Sequence, residues 1–127
     1  MSQALGTLDL TFKAGEDLSS YRNYFVYLSA DQTVKKCTTG YVIAVGVLQN
    51  NPKENEEALV RVIGTTKVKA GTPITAGARV VSNVDGAADA SVAANVTPQT
   101  LLGVALEGAV AGDVFEILLI QDTIETT

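Results

Sequence analysis

The sequence predicts a single, mainly β domain, a compact barrel or sandwich built from short hairpins with little helix. Its length of 127 residues is that of one ordinary domain. Apolar and polar side chains alternate along several segments, and glycine-containing or polar turns separate those segments. We expect residues 1–13 to form an N-terminal strand or an extended arm, and residues 121–127 to form a frayed tail.

The first half of the chain shows the clearest alternation. Leu8, Leu10 and Phe12 are separated by polar residues, which predicts a strand with one apolar face. Residues 22–29 are aromatic and β-branched, and residues 33–37 follow after a polar turn. These two segments predict a hairpin.

A second alternating segment covers residues 57–63, after a strand predicted at 40–48. The two faces of this strand are formed by Ala58, Val60 and Val62, and by Glu57, Leu59, Arg61 and Ile63. Leu59 and Ile63 are apolar residues on the more polar face. They predict either a contact with another subunit or burial beneath a loop.

The second half of the chain predicts strands at 65–70, 79–82, 101–107 and 113–120. Residues 83–94 are small and polar, and this composition fits a mobile loop and a short helix equally well.

A weak internal repeat pairs two glycine-containing strands, one around Gly46 and one around Gly103. Each is followed by a turn and an alternating return strand. Glycine within a strand marks a bulge, a bend or the close approach of another backbone. The repeat therefore predicts two similar hairpins folded around one core.

The composition excludes most enzyme chemistry. With no His, no Trp and one Cys, the chain has no Ser-His-Asp or Cys-His nucleophile pair, no Cys/His zinc site and no intrachain disulfide. Residues 64–72 lack the Gly-Lys-Thr ending of a phosphate loop. Cys37 is predicted to be a packing residue. We expect no catalytic residue, no metal and no cofactor.

The charge distribution disfavours nucleic acid as a partner. The net charge is −5, with residues 1–79 carrying +2 and residues 80–127 carrying −7. The N-terminus lacks a secretory signal pattern, and every apolar run is too short to cross a bilayer. We expect synthesis in a cytoplasm and no membrane association.

Four motifs occur in order along the chain: AGEDLS at 14–19, GVLQN at 46–50, ITAG at 74–77 and LLGVALEGAVAGD at 101–113. With this order and spacing, roughly residues 7–120 resemble the small capsid cement, or head decoration, proteins of tailed bacteriophages. Members are sometimes labelled as RecA-type recombinases, but this chain has no nucleotide-binding loop.

The resemblance implies a mainly β protein that binds the outer surface of the major capsid protein shell, commonly as a homotrimer, and stabilises the expanded head. It places the chain on the virion. We predict two contact regions. An N-terminal strand would pair with the shell, and a face of the 57–63 strand would contact the shell or another subunit. The predicted interaction residues are Leu5, Leu8, Leu10, Phe12, Leu59, Arg61 and Ile63.

Two alternatives stay open at this point. A non-catalytic β module that binds a small ligand or glycan would be favoured by an aromatic groove containing Tyr21, Tyr24, Tyr27 or Tyr41. A carrier-like domain, similar to biotinyl and lipoyl carriers, would need a modified lysine at a hairpin tip. Its candidates are Lys67 and Lys69.

Overall fold

The computed structural model describes residues 7–38, 44–83, 85–90 and 99–124. Within these residues there is no helix, and the predicted mainly β class is confirmed. The ten strands are β1 (Leu8–Ala14), β2 (Phe25–Ala30), β3 (Thr33–Lys36), β4 (Ala44–Leu48), β5 (Glu57–Ile63), β6 (Thr65–Lys69), β7 (Arg79–Ser82), β8 (Ala88–Ala90), β9 (Gln99–Ala105) and β10 (Val114–Ile124).

The first five strands form a closed barrel in the order β1-β3-β2-β4-β5, with β5 pairing back to β1. The predicted hairpin is β2–β3, which pairs Val26 with Lys36 and Leu28 with Val34. β1 and β3 are parallel, and all other pairs in the barrel are antiparallel.

The last five strands form a second sheet in the order β6-β10-β9-β7-β8. Its strand pairs are antiparallel. A parallel bridge between Ala70 and Ala88 also links the residue after β6 to the far edge strand β8. The second sheet is therefore strongly curved, and the bridge brings its two edges together.

Two apolar clusters form the interior, where the repeat predicted one core. The barrel cluster contains Phe12, Ala14, Leu18, Val26, Val34, Leu48, Ala58 and Val60. The second cluster lies between the barrel and the second sheet, and combines Phe25, Cys37, Ala44 and Val47 with residues of the later strands such as Val68, Val80, Phe115 and Ile117. Strands β2 and β4 contribute to both clusters because their two faces are both covered.

Gly46 and Gly103 each lie against a neighbouring backbone, as the repeat predicts. A Cβ atom on Gly46 would collide with the carbonyl oxygen of Arg61, and one on Gly103 would lie 2.7 Å from the carbonyl oxygen of Leu118. The two glycine-bearing hairpins, β4–β5 and β9–β10, lie in different sheets.

Two local predictions need correction. Within 83–94, the structure places strand β8, which pairs with β7 through Val80 and Ala90, so neither a helix nor a loop describes that part. At the C-terminus, β10 continues to Ile124 and pairs with β9 up to Gln99. Residues 121–124 are therefore part of a strand and not a frayed tail, and residues 125–127 lie outside the described part.

Candidate interaction surface

Strands β1 and β5 present an outward face and an inward face, in the alternation predicted from sequence. Their antiparallel register pairs Asp9 with Arg61 and Leu10 with Val60. Val60 belongs to the barrel interior, so the Asp9–Arg61 pair lies on the outer face. We call the outward residues Asp9, Leu59, Arg61 and Ile63 the β1–β5 face.

A two-point ion pair fixes the centre of the β1–β5 face. Arg61 Nε lies 2.7 Å from Asp9 Oδ1, and Arg61 Nη2 lies 3.1 Å from Asp9 Oδ2. Arg61 Nη1 also donates to the carbonyl oxygen of Thr65 at 3.3 Å. The hydrogen bond to Asp9 raises the pKa of Arg61. The guanidinium is therefore held in one orientation across the strand pair.

Leu59 and Ile63 flank this ion pair and are 36% and 52% exposed. The backbone beneath Leu59 is held on its β4 side by the loop after β4. Its N–H donates to Asn50 Oδ1 at 3.0 Å, and its carbonyl accepts from Gln49 N at 2.7 Å. The described residues do not bury the Leu59 and Ile63 side chains beneath a loop, which was one of the two predicted alternatives. Contact with a partner stays a prediction.

The N-terminal residues divide into three groups. Phe12 is buried in the barrel core, so it is not available to a partner and its prediction as an interaction residue is wrong. Leu8 and Leu10 are 45% and 41% exposed. Leu5 lies outside the described residues. Strand β1 itself is a barrel strand rather than a free arm.

An exposed apolar face on β10 was missed in the sequence. Val114, Leu118 and Ile120 are exposed large apolar residues, while the intervening Phe115 and Ile117 are buried. We call the three exposed residues the β10 face. Between Val114 and Ile120 the strand is apolar at every position except Glu116, so it lacks the alternation that revealed β5. Its continuous apolar run was the available signal that both faces are apolar.

The three tyrosines in the described part of the chain do not form the groove that a ligand-binding module requires. Tyr21 and Tyr24 contact each other edge to face, with ring centroids 5.2 Å apart, and Lys36 Nζ lies 4.6 Å from the Tyr21 centroid. Tyr27 packs against the cluster between the sheets, and Tyr41 lies outside the described residues. A small cavity of about 60 Å³ lies between the sheets, and its lining contains Phe25 and aliphatic residues but none of these tyrosines.

The lysines of the carrier-like alternative lie within a strand. Lys67 and Lys69 belong to β6 and are opposite Glu116 and Val114 of β10. Neither occupies the tip of a hairpin, so the carrier-like arrangement is absent from this part of the chain.

Cys37 is fully buried, and burial raises the pKa of its thiol to about 12, against a smaller lowering effect of the hydrogen bond with Ser82. The thiol is therefore protonated and unreactive at neutral pH. Among the residues that the structure describes, no three His, Cys, Asp or Glu side chains come together as a metal site. The same residues contain no helix long and apolar enough to span a membrane.

A family model described as phage cement protein matches residues 1–120. The chain belongs to this family. No curated protein matches the chain. Among solved structures, the chain is similar to the head fiber gp8.5 N base of bacteriophage phi29, with a TM-score of 0.67 and 18% sequence identity. The similarity covers 94% of this chain and 98% of that one, and it shows a shared fold.

Membership of the phage cement protein family confirms the resemblance drawn from the four sequence motifs. It assigns the chain a structural role at the phage head and a place in the virion capsid. The family is structural and non-catalytic, which confirms that the chain is not an enzyme.

Proposed function

We propose that this cement protein binds the outer surface of the major capsid protein shell and stabilises the expanded head. The observation that carries the proposal is the β1–β5 face, where exposed Leu59 and Ile63 flank the fixed Asp9–Arg61 pair. This face combines apolar contact area with an orienting charged centre, on a closed and rigid barrel.

Rigidity favours binding because little conformational entropy is lost on contact. The β1–β5 face lies on two paired strands, and Leu59 is further tied through its backbone to Gln49 and Asn50. An interface built on such strands has few side chains or loops to order. Each contact can be modest, since a subunit linked to others on a shell gains from multivalency.

The proposed oligomer is a homotrimer that uses the second apolar surface. The β10 face consists of Val114, Leu118 and Ile120 and belongs to the other sheet. A decorating subunit needs one contact with the shell and one with its neighbours. We assign the β1–β5 face to the shell and the β10 face to self-association.

The test is co-sedimentation of the purified protein with undecorated expanded phage heads. We expect saturable binding at a fixed stoichiometry and higher thermal stability of the decorated heads. Leu59→Asp combined with Ile63→Asp should weaken binding at least about tenfold, because two charges would be placed in an apolar contact.

The matched control is Val110→Asp, the same chemical change at an exposed apolar residue of a turn outside both faces. This variant should bind like the unaltered protein. If the unaltered protein does not bind expanded heads, the proposed function is wrong. If it binds and the double variant binds equally well, the assignment of the β1–β5 face fails.

A further inference from the structure

The edge of β1 that faces β3 is paired over only part of its length. β3 begins opposite Lys13, and its register with β1 contains only Lys13 with Thr33 and Ala14 with Val34. The opposite edge of β1 pairs with β5 from Leu8 to Lys13. Within the described residues, no strand pairs with β1 on the β3 side before Lys13.

The direction of the backbone groups on this edge follows from the bonds farther along β1. Lys13 N–H donates to the carbonyl of Gln32 at 2.8 Å, whereas Ala14 N–H points the other way, to the carbonyl of Glu56 at 2.9 Å. Backbone groups alternate in direction along a strand. The N–H and C=O groups of Asp9 and Thr11 therefore point to the β3 side, where the described residues offer them no strand partner.

An apolar side chain is exposed beside the same gap. Leu10 pairs with Val60 and shares its inward direction, yet it is 41% exposed, whereas Phe12 two residues later is buried. The inward side of β1 changes from exposed to buried close to Lys13, where β3 begins. Among the residues that the structure describes, no strand segment lies beside residues 9–11 on this side of β1, and a strand added there would cover Leu10.

We propose that this gap in the barrel wall accepts an extended strand of the capsid shell protein, which pairs with the backbone of Asp9 and Thr11 and places an apolar side chain over Leu10. The inference rests on the proposed function and names how the shell is held. Unpaired backbone groups on a strand edge bind another extended polypeptide, because the complementary hydrogen bonds come from its main chain.

The position of the gap favours the shell as the source of this strand. Asp9 also belongs to the β1–β5 face, so one partner can contact the face and the edge together. Pairing of this edge with the same edge of a second copy would be a two-fold contact, whereas a closed trimer is built from head-to-tail contacts. The proposed trimer therefore does not pair this edge with the same edge of a neighbouring copy.

The first test is Thr11→Pro, which removes the N–H donor that points into the gap. Proline is tolerated on an edge strand when its nitrogen faces away from the paired neighbour. The control is Thr11→Val, which keeps the N–H and changes only the side chain. The Thr11 side chain lies opposite Leu59 on the β1–β5 face, so Thr11→Val measures the effect of the side chain alone. We expect Thr11→Pro to bind expanded heads about fivefold or more weakly than Thr11→Val.

Hydrogen exchange on the unaltered protein provides a measurement that does not depend on the variant folding. When the protein is bound to expanded heads, amide exchange at Asp9 and Thr11 should slow at least about tenfold relative to the free protein. Leu10 N–H points toward β5 and should change less, which makes it an internal reference.

The outcomes separate this inference from the proposed function. If heads bind the protein but exchange at Asp9 and Thr11 does not slow, the strand-addition inference is overturned while shell binding stands. Folded Thr11→Pro that binds with full affinity overturns it as well. Slowed exchange in the free protein that depends on its own concentration would assign the gap to a second copy instead. If the heads bind nothing, the proposed function itself fails.

Discussion

Asp9 and Arg61 face each other across the β1–β5 strand pair and share two hydrogen bonds, of 2.7 and 3.1 Å. This contact joins the first strand of the barrel to its last strand, on the outer surface where the ring closes. Its position gives the pair a geometric role, since it fixes a charged group between two exposed apolar residues.

Arg61→Ala should therefore affect recognition more than folding. A partly exposed ion pair contributes at most about 1 kcal/mol to stability, so the free energy of unfolding in urea should fall only slightly. Binding to expanded heads should weaken by a larger factor, because Asp9 then faces the partner without its counter-charge. An equal loss in the free energy of unfolding and in the free energy of binding would contradict a role of Arg61 mainly in recognition.

Gly46→Ala should destabilise the barrel severely. The added Cβ would collide with the carbonyl oxygen of Arg61 on the paired strand, and backbone cannot move aside as a side chain can. We expect a loss of at least about 2 kcal/mol, measured by chemical denaturation. Gly108→Ala is the control, because its Cβ would meet only the Ile74 carbonyl oxygen at 3.4 Å, an ordinary contact.

The stability of the protein should decrease in alkaline solution through Cys37. The pKa of this thiol is raised from 9.0 to about 12 in the folded protein, so the unfolded state loses its proton first. The stabilising contribution is complete below pH 9 and is lost between about pH 9 and 12, at up to ~1.4 kcal/mol per pH unit. Cys37→Ala should show a shallower decline in denaturation midpoint over the same range. Parallel curves for the two proteins would exclude this thiol as the cause.

Leu118→Asp tests the assignment of the β10 face to self-association. The side chain is exposed and opposite Thr65 of β6, so a charge there should leave the subunit folded. We expect sedimentation velocity to show a smaller species than the unaltered protein, since an apolar subunit contact would have to bury the carboxylate. If the oligomer formed by Leu118→Asp has the same size as that of the unaltered protein, the β10 face is not the contact between subunits.

The sequence predicted strands better than it predicted their partners. Alternation identified β1 and β5, and polar turns delimited the β2–β3 hairpin, because these signals depend on neighbouring residues. The pairing of Leu8 with Ile63, and the parallel pairing of β1 with β3, depend on long-range packing that no local pattern records.

The candidate site was predicted in part for the same reason. Leu59, Arg61 and Ile63 share one face because alternation alone places them there. Phe12 was wrongly predicted to contact a partner, since an apolar strand face has the same pattern whether it is buried or free. The β10 face was missed because a continuous apolar run hides which side is covered.

The barrel strands occupy only the first 63 residues, and all five are complete before the first residue of β6. During synthesis, the barrel strands therefore emerge from the ribosome before any strand of the second sheet. The barrel can close at that stage by pairing Leu8 with Ile63. At that stage the outer apolar groups of β2 and β4, Phe25 and Val47, have no cover. The second sheet covers these residues in the complete protein. Interrupted translation would therefore leave a closed barrel with exposed apolar side chains, which promote aggregation.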